Sequence, residues 1–498
     1  MAKKMKLKDL VKDIAHNVIQ GSDDLQVSGL AIDSRNAEKN FLFIAVKGYN
    51  KDGHEFIPMA YERGATAFLI DTDREKSAEA FSDGLIDSDD ITIISVNNTR
   101  DVLSKISNRY HNDPADNFNL IGVTGTNGKT SVTVILDHVL KKLGRKTGLI
   151  GTISTRCGDD IIDFSKTTPT TPDCIELAKM FEYMADNGVE DVIMEVSSMG
   201  LKTKRVASLL FDVGIFTNIS PEHLDDHKTM KDYQDSKLML FKRSGKTVVN
   251  MDDDYAQNVV DVSGPCLKYG IRKKGPCDLV AESISYYGDG VSFRMMYGIE
   301  QFMVKLKVPS EFAVYNALAV VGACIQLGIP FKDLEEPIQD EILIPGRYDI
   351  VSTPGGYTGI IDYAHTEVAL KNLLYAVTSN PSYNSVISVF GCGGDRDPHK
   401  RGHMGRISGE IADYTIITSD NPRSEDPQKI IDMIETGIKE TEGDYEVIND
   451  RKDAIKKAIE IAEEGDAIVI SGKGHETYQI LGEITIDFDD KEVFCSFI

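Results

Sequence analysis

A chain of 498 residues is too long for one core, and its length alone argues for about three domains. A formal net charge of −24 excludes non-specific binding to nucleic acid or to an anionic membrane surface, since both are themselves negative. Any anionic substrate must then be held by local Arg, Lys, helix ends or metal. The seven cysteines are scattered with no CxxC pair, as expected of reduced thiols in a cytoplasmic protein and not of a zinc site or a disulfide frame.

The start, MAKKMKLKDLVKDI, carries charges every few residues and no apolar h-region, so it is not a signal peptide. The least charged stretch, 312–330, is interrupted by Tyr315, Asn316 and Gln326, and reads as a buried Ala-rich helix instead of a membrane span. Residues 1–112 alternate short β-like runs (41–46, 65–70, 91–96) with helical ones (56–63), a smaller α/β domain. Two polar clusters stand out there, Asp33-Ser34-Arg35 and the run from Gly48 through Tyr49, Asn50 and Lys51 to His54. By residue type alone both read as solvated turns. The polar segment 111–118, with Pro114, is the first linker.

The stretch 121–133, IGVTGTNGKTSVT, joins an apolar strand to a glycine-punctuated loop and then to a helical pattern. Backbone N–H groups of such a loop point at phosphate oxygens, the helix offers its positive end, Lys129 neutralises charge and the Thr130 hydroxyl can ligate Mg²⁺. The GxxxxGK[ST] pattern would want glycine at 123, where Val123 stands, so the loop is a shorter variant. A second GKT, at 245–247, has helix before it and strand after it, the wrong order for a phosphate loop.

Downstream, Asp173 and the threonines of 166–173 suit a cap for the helix from Cys174. Glu195 ends a strand, where a carboxylate faces the ligand crevice of an α/β sheet and could complete a shell begun by Thr130. Two His and three carboxylates within 222–227 suit a metal or, equally, an exposed acidic loop. Tyr233, Lys237 and Phe241 share one helix face, on which a lysine needs a reason. Residues 248–309 read as short strands and turns with no chemical cluster, and 331–341 as an acidic helix or linker leading to a boundary near Pro345. In 345–498, strands 358–363, 385–390, 414–418 and 466–471 alternate with helices, a parallel sheet covered on both faces. Each strand ends in a polar cluster, four at one sheet edge: Asp362 to His365, Gly391 to Asp397, Asp420 to Arg423, and Gly472 to Glu476. GCGG is not the dinucleotide fingerprint, so NAD is disfavoured.

In order, TGTNGKTS, TTPTTPD, EVSS, TNISPEHLDDH, PGRYDIV, DYAH, GCGGDRD, DNPRSEDP and GKGHE resemble the motifs of the Mur ligases of peptidoglycan synthesis, most closely the UDP-N-acetylmuramoyl-tripeptide synthetases, over all three segments. The resemblance implies an ATP-dependent amide ligase using ATP and Mg²⁺ in the cytoplasm. It would add meso-diaminopimelate to the D-Glu of UDP-N-acetylmuramoyl-L-Ala-D-Glu through an acyl phosphate, for cell-wall biogenesis, cell shape and division. A monomer is expected, with no nucleic-acid partner and no membrane span. The implied domains are 1–112 for the UDP substrate, 113–344 with a P-loop ATPase-like parallel sheet for ATP, and 345–498, Rossmann-like, for the amino acid.

By position, the resemblance makes Ser34, Tyr49, Asn50 and Lys51 contacts to the UDP-sugar. Thr170, Thr171, Ser197 and Arg205 become contacts to the muramoyl-dipeptide. The ATP site comprises Gly125, Thr126, Asn127, Gly128, Lys129, Thr130 and Ser131 with Asn316, Arg347 and Asp362. Thr130 and Glu195 match one Mg²⁺ site; His223 and Lys237, the latter carbamylated, match a second. Arg396, Asp420, Asn421, Pro422, Arg423, Gly472 and Glu476 would hold the amino acid, the Asp-Asn-Pro-Arg run marking enzymes that add meso-diaminopimelate. A guanidinium grips a distal carboxylate in two parallel bonds, and L-lysine has none to offer.

Two positions depart from the family pattern. Met199 stands where His is common after Glu-Val-Ser-Ser, and Pro221-Glu222 precedes His223 where a basic residue and Asp are usual. They keep open a paralogue using L-lysine or another amine, and a non-catalytic NTP-binding relative. An NTP-driven switch, and ligases that polymerise folate or amino acids, are the further alternatives.

Overall fold

The computed structural model describes residues 3–48, 51–74, 91–164, 166–272, 275–287 and 290–498. By their internal contacts, 1–122 with 145–212 form one compact unit, and 123–144 with 213–498 form the other.

In the first unit, His16–Gln20 (β1), Gly29–Ala31 (β2), Phe41–Ile44 (β3), Ala67–Asp71 (β4) and Thr92–Val96 (β5) make a sheet of order β1-β5-β4-β3-β2. Strands β2 to β5 pair in parallel and β1 joins β5 antiparallel. Near-continuous burial of Leu42 to Ala45 and Ala67 to Ile70 is what a sheet covered on both faces demands. The antiparallel strand β1 is largely polar and exposed and carries no long apolar run.

A mixed central sheet of eleven strands is built from Asn119–Thr124 (β6), Thr147–Ile150 (β7), Thr155–Cys157 (β8), Asp160–Ile161 (β9), Asp191–Glu195 (β10), Phe211–Phe216 (β11), Ser244–Asn250 (β12), Cys266–Gly270 (β13), Leu279–Tyr287 (β14), Gly290–Tyr297 (β15) and Glu300–Leu306 (β16). Its order is β9-β8-β7-β10-β6-β11-β12-β13-β14-β15-β16. The expected parallel sheet is thus corrected to a mixed one: β7 and β10 pair in parallel, as do β12 to β14, but β8, β9, β15 and β16 are antiparallel additions at the two edges. Strands β14 to β16 run to seven or more residues each, longer than the short strands expected there, because alternating burial leaves half of each strand polar and masks the apolar run.

In 345–498, Asp349–Ser352 (β17), Thr358–Asp362 (β18), Val386–Phe390 (β19), Tyr414–Ile417 (β20), Asp444–Val447 (β21) and Ala467–Ser471 (β22) form a sheet of order β17-β18-β22-β19-β20-β21. The four expected strands are its contiguous parallel centre, so their carboxyl ends share one edge. Antiparallel β17 and the half-exposed β21 flank them. A hairpin, Tyr478–Leu481 (β23) with Ile484–Asp487 (β24), follows the last cluster. Among the described residues no helix is long and apolar enough to cross a membrane.

Candidate active site

The phosphate loop lies between β6 and the helix Lys129–Lys142 (α1). That helix starts at Gly128, φ +87°, which has no side chain to cap it. Other helices here are capped, Cys174–Asp186 (α2) by the Asp173–Glu176 capping box and Met230–Phe241 (α3) by Thr229. An uncapped positive helix end suits an anion. The loop's second wall is the Thr217-Asn218 pair after β11, a role the sequence did not disclose. Asn218 accepts from Asn127 N through Oδ1 (3.0 Å) and from Thr126 N through its backbone O (2.8 Å), while Thr217 Oγ1 donates to Asn127 O (2.6 Å). A Cβ on Gly125 would stand 1.9 Å from Thr217 Oγ1, which explains the glycine. Asp253 in turn accepts from Ile219 N (2.9 Å), and Asp252 from Tyr315 OH (2.8 Å) beside Asn316. The stretch read as lacking a chemical cluster therefore supplies two carboxylates that brace the site.

Lys129 Nζ donates to Gly125 O and Thr126 O, both at 2.8 Å. Lys237 on α3 is buried, donates to Gly125 O at 2.8 Å and lies 4.6 Å from the Tyr233 ring centre. Burial, then the Lys129 charge, pushes its amine well below the usual lysine range, with Glu222 opposing. Tyr233, Lys237 and Phe241 share one buried face as expected. His223, φ +55°, keeps 46% of its side chain open, and its ring lies 6.3 Å from that of Tyr233. In the acidic and histidine run at 222–227, His223, Asp225 and Asp226 offer ligand atoms that all lie within 4.8 Å of one another. His227 turns inward against Tyr233, and Glu222 meets His365 Nε2 at 3.3 Å. Burial opposes ionisation of Glu222, but the His365 contact and the charges of His223 and Lys129 hold its carboxyl far below the usual range.

Arg347 reaches Thr130 Oγ1 at 3.3 Å and stacks 4.5 Å from the Tyr363 ring centre. Asn316 Oδ1 lies 2.9 Å from where a Gly128 Cβ would be. Asp362, at the end of β18, accepts from Tyr348 N and Ala364 N; burial nonetheless raises its pKa. Ser131 lies in the first turn of α1.

At the parallel edge of the last sheet, Asn421 donates to Glu476 (2.8 Å), and Lys473 bridges Asn421 Oδ1 and Glu476. Arg423, φ +52°, donates to Gly394 O at 2.6 Å, and its N–H bonds Ile480 O on β23. Gln479 holds Asp420 O at 2.7 Å. Arg396 donates to Asp395 O, and Gly472, φ +115°, passes so near Asp420 that a Cβ would meet Oδ2 at 2.6 Å. Pro422 completes the same turn. The four expected clusters lie along one sheet edge, where Gly472 N also bonds Asp362 O, and a hairpin without a motif of its own holds the Asp420–Arg423 turn.

In the first unit, Glu195 is buried at the end of β10. Thr171 Oγ1 donates to Glu195 O (3.0 Å) and accepts from Ser197 N (2.9 Å), and Arg205 holds Thr168 Oγ1 and Thr171 O at 3.0 and 2.9 Å. Lys166 Nζ donates to Gly151 O and Pro169 O, and burial lowers its pKa against the pull of Glu195. Asp173 caps α2 as expected. Ser34 is buried in a short 3₁₀ turn, and Lys51 lies exposed, 5.8 Å from the Phe56 ring centre. Tyr49 and Asn50 lie outside the described residues. Glu195 belongs to one unit, and Thr130, His223 and Lys237 to the other.

Three family models match the chain: the Mur ligase family catalytic domain at 26–111, the Mur ligase middle domain at 123–324, and the Mur ligase glutamate ligase domain at 346–474. The chain is 42% identical over 493 residues to the UDP-N-acetylmuramoyl-L-alanyl-D-glutamate--2,6-diaminopimelate ligase of Clostridium tetani, covering 98% of each chain. It is 41% identical over 495 residues to the enzyme of that name from Clostridioides difficile, again covering 98% of each. A solved structure of a ligase of the same name aligns over 99% of both chains with a TM-score of 0.68 at 27% identity. With the phosphate loop, its Thr217-Asn218 wall and the gathered strand-end clusters in place, this whole-length likeness shows that the chain belongs to the Mur ligase family.

Proposed function

We propose that this ATP-dependent Mur ligase adds meso-diaminopimelate to the D-Glu carboxyl of UDP-N-acetylmuramoyl-L-Ala-D-Glu, in the cytoplasm, as a monomer. The observation that carries the reading is the 42% identity to a diaminopimelate ligase across 98% of both chains. The family matches at 26–111, 123–324 and 346–474 support domains of 1–112 for the UDP end, 113–344 for ATP and 345–498 for the amino acid.

The residues present fit a divalent cation. Thr130 offers a hydroxyl and Glu195 a carboxylate, while the depressed amine of Lys237 is suited to take up CO₂ as a carbamate beside His223. Thr130 and Glu195 would hold one Mg²⁺ and His223 with carbamylated Lys237 a second, supplying charge neutralisation on the transferring phosphoryl group. Lys129, the backbone of 125–130 and Arg347 hold the phosphates in line. Asn316 and Asp362 take the adenosine end. Thr170, Thr171, Ser197 and Arg205 fix the dipeptide so that its glutamyl carboxylate attacks the γ-phosphate, giving an acyl phosphate and ADP. Arg423, with Arg396, Asp420 to Pro422, Gly472 and Glu476, orients the incoming amino acid, whose amine displaces phosphate to form the amide. Ser34 and the 49–51 turn take the UDP-sugar.

Phosphate release with UDP-N-acetylmuramoyl-L-Ala-D-Glu and a panel of amines tests the proposal. Turnover should depend on amine and be greatest with meso-diaminopimelate. Equal turnover with L-lysine would refute the specificity, and turnover with every amine omitted would refute the ligase reading.

A further inference from the structure

Thr152 belongs to no motif in the sequence, yet it is the residue on which the Glu195 carboxylate rests. It lies two residues beyond β7. Its N–H donates to Glu195 Oε1 at 2.7 Å, and its hydroxyl lies 3.1 Å from Glu195 Oε2 and 3.1 Å from Thr170 Oγ1. Gly151 makes room for this, since a Cβ there would stand 2.7 Å from Glu195 Oε1. Lys166, bonded to Gly151 O at 2.9 Å and Pro169 O at 3.3 Å, clamps the threonine loop onto the same turn.

The directions of these bonds follow from valence. An ionised carboxylate only accepts, and a threonine hydroxyl carries one proton. Thr152 therefore gives its proton to Glu195 and must accept that of Thr170. With its proton committed inward, half-buried Thr170 presents lone pairs alone to whatever enters the loop. It can receive an N–H but cannot donate to a carboxylate.

We propose that Thr152 is a positioning residue: a hydroxyl chain from Thr170 through Thr152 to Glu195 orients the carboxylate toward a divalent cation and makes Thr170 an acceptor for an amide N–H of the substrate dipeptide. The inference rests on the metal and dipeptide roles proposed above. Coupling through the chain links two tasks, since filling the substrate loop and holding the carboxylate draw on the same hydroxyl.

Mn²⁺ binding to the full chain, followed by electron paramagnetic resonance, tests the chain without turnover. Thr152→Val, which keeps the backbone bond and loses the hydroxyl, should weaken Mn²⁺ about 10-fold, whereas Thr152→Ser stays within about 2-fold of wild type. Thr170→Val should weaken Mn²⁺ alone but add nothing to Thr152→Val. Wild-type affinity in Thr152→Val, or strictly additive effects in the double variant, would overturn the proposal. If Thr152→Val does not fold, Thr170→Val decides, and an unchanged affinity there refutes the chain. Glu195→Gln separates the two readings: if it binds Mn²⁺ normally, the metal role itself is wrong, and if it does not while Thr152→Val does, only the chain is wrong. For the acceptor role, a substrate with an ester replacing the Ala–Glu amide should raise KM about 10-fold in the wild type and not further in Thr170→Val. An equal rise in both would show that the N–H is read elsewhere.

Discussion

Lys129 and Lys237 meet on a single atom, each donating to the Gly125 carbonyl at 2.8 Å. Two amines so placed cannot both keep their protons cheaply, and Lys237, 2% exposed, is the one that burial and the Lys129 charge push toward neutrality. Such an arrangement costs stability, because burying an amine, charged or stripped of its proton, is more expensive than burying a hydrocarbon of like volume. Lys237→Met should therefore abolish ligation while raising the stability of the fold by roughly 1–3 kcal/mol. Thermal denaturation beside phosphate release measures both. Lys237→Ala should regain part of its activity with a short carboxylic acid, which would stand in for the proposed carbamate. Full activity in the unsupplemented alanine variant would remove Lys237 from the proposed metal site.

Arg423 leads to a prediction about selectivity. Its backbone is locked by β23, so its guanidinium is presented on a rigid turn. Arg423→Ala should raise the KM for meso-diaminopimelate by about 30- to 100-fold, equivalent to about 2–3 kcal/mol for a charge-assisted pair, with the KM for ATP unchanged. Arg423→Lys should not restore it, because an ammonium cannot make two parallel bonds. Steady-state kinetics with meso-diaminopimelate and L-lysine decide it. An unchanged ratio of kcat/KM between the two amines would show that the distal carboxylate is read elsewhere.

What the sequence disclosed was local. Gly125 to Thr130 is legible because strand, loop and helix are contiguous, and the four strand-end clusters are legible because parallel strands bring their carboxyl ends to one edge. What escaped depends on distant partners. Thr217-Asn218, Asp252-Asp253 and Thr152 are short polar pieces whose meaning appears only when another strand end is placed beside them. Antiparallel β1 and β17 escaped because edge strands carry no continuous apolar run. The 222–227 run was legible only in part because composition cannot say which way a side chain turns: His227 points into the core and Glu222 toward His365, and His223, Asp225 and Asp226 lie together.

His475 gives the chain a pH dependence. Burial first, then the neighbouring charges of Arg347 and His365, push its pKa down to about 4, and among the described residues its Nδ1 has no hydrogen-bond partner. In the unfolded chain the ring titrates near its ordinary value of about 6.5, so as pH falls the unfolded state takes the proton first. The contribution is present above pH ~6.5 and declines toward pH ~4, with about 2 kcal/mol lost by pH ~5. Melting temperature recorded from pH ~7.5 to ~4.5 should fall less steeply in His475→Gln than in the wild type. Parallel curves would mean that the folded ring titrates normally.

Beneath the proposed amino-acid site, Arg451 and Asp490 form a bidentate pair at 2.7 Å with both side chains fully buried. The same guanidinium donates to Ser471 O (3.0 Å) and Ser419 O (3.3 Å), the residues just before Gly472 and Asp420. One cation thus carries the floor of two strand-end loops. Asp490→Asn preserves shape but leaves the arginine uncompensated, at a cost of about 3–5 kcal/mol. Arg451→Met strands the carboxylate to similar effect. Arg451→Met combined with Asp490→Leu removes both charges and should be less destabilised than either single variant. Yet it should still bind the amino acid poorly, because the two carbonyls lose their common donor. Thermal denaturation separates the charge penalty from the brace, and the KM for the amino acid reports the brace alone. A double variant with restored stability and wild-type KM would show that Arg451 only balances charge and does not hold the loops.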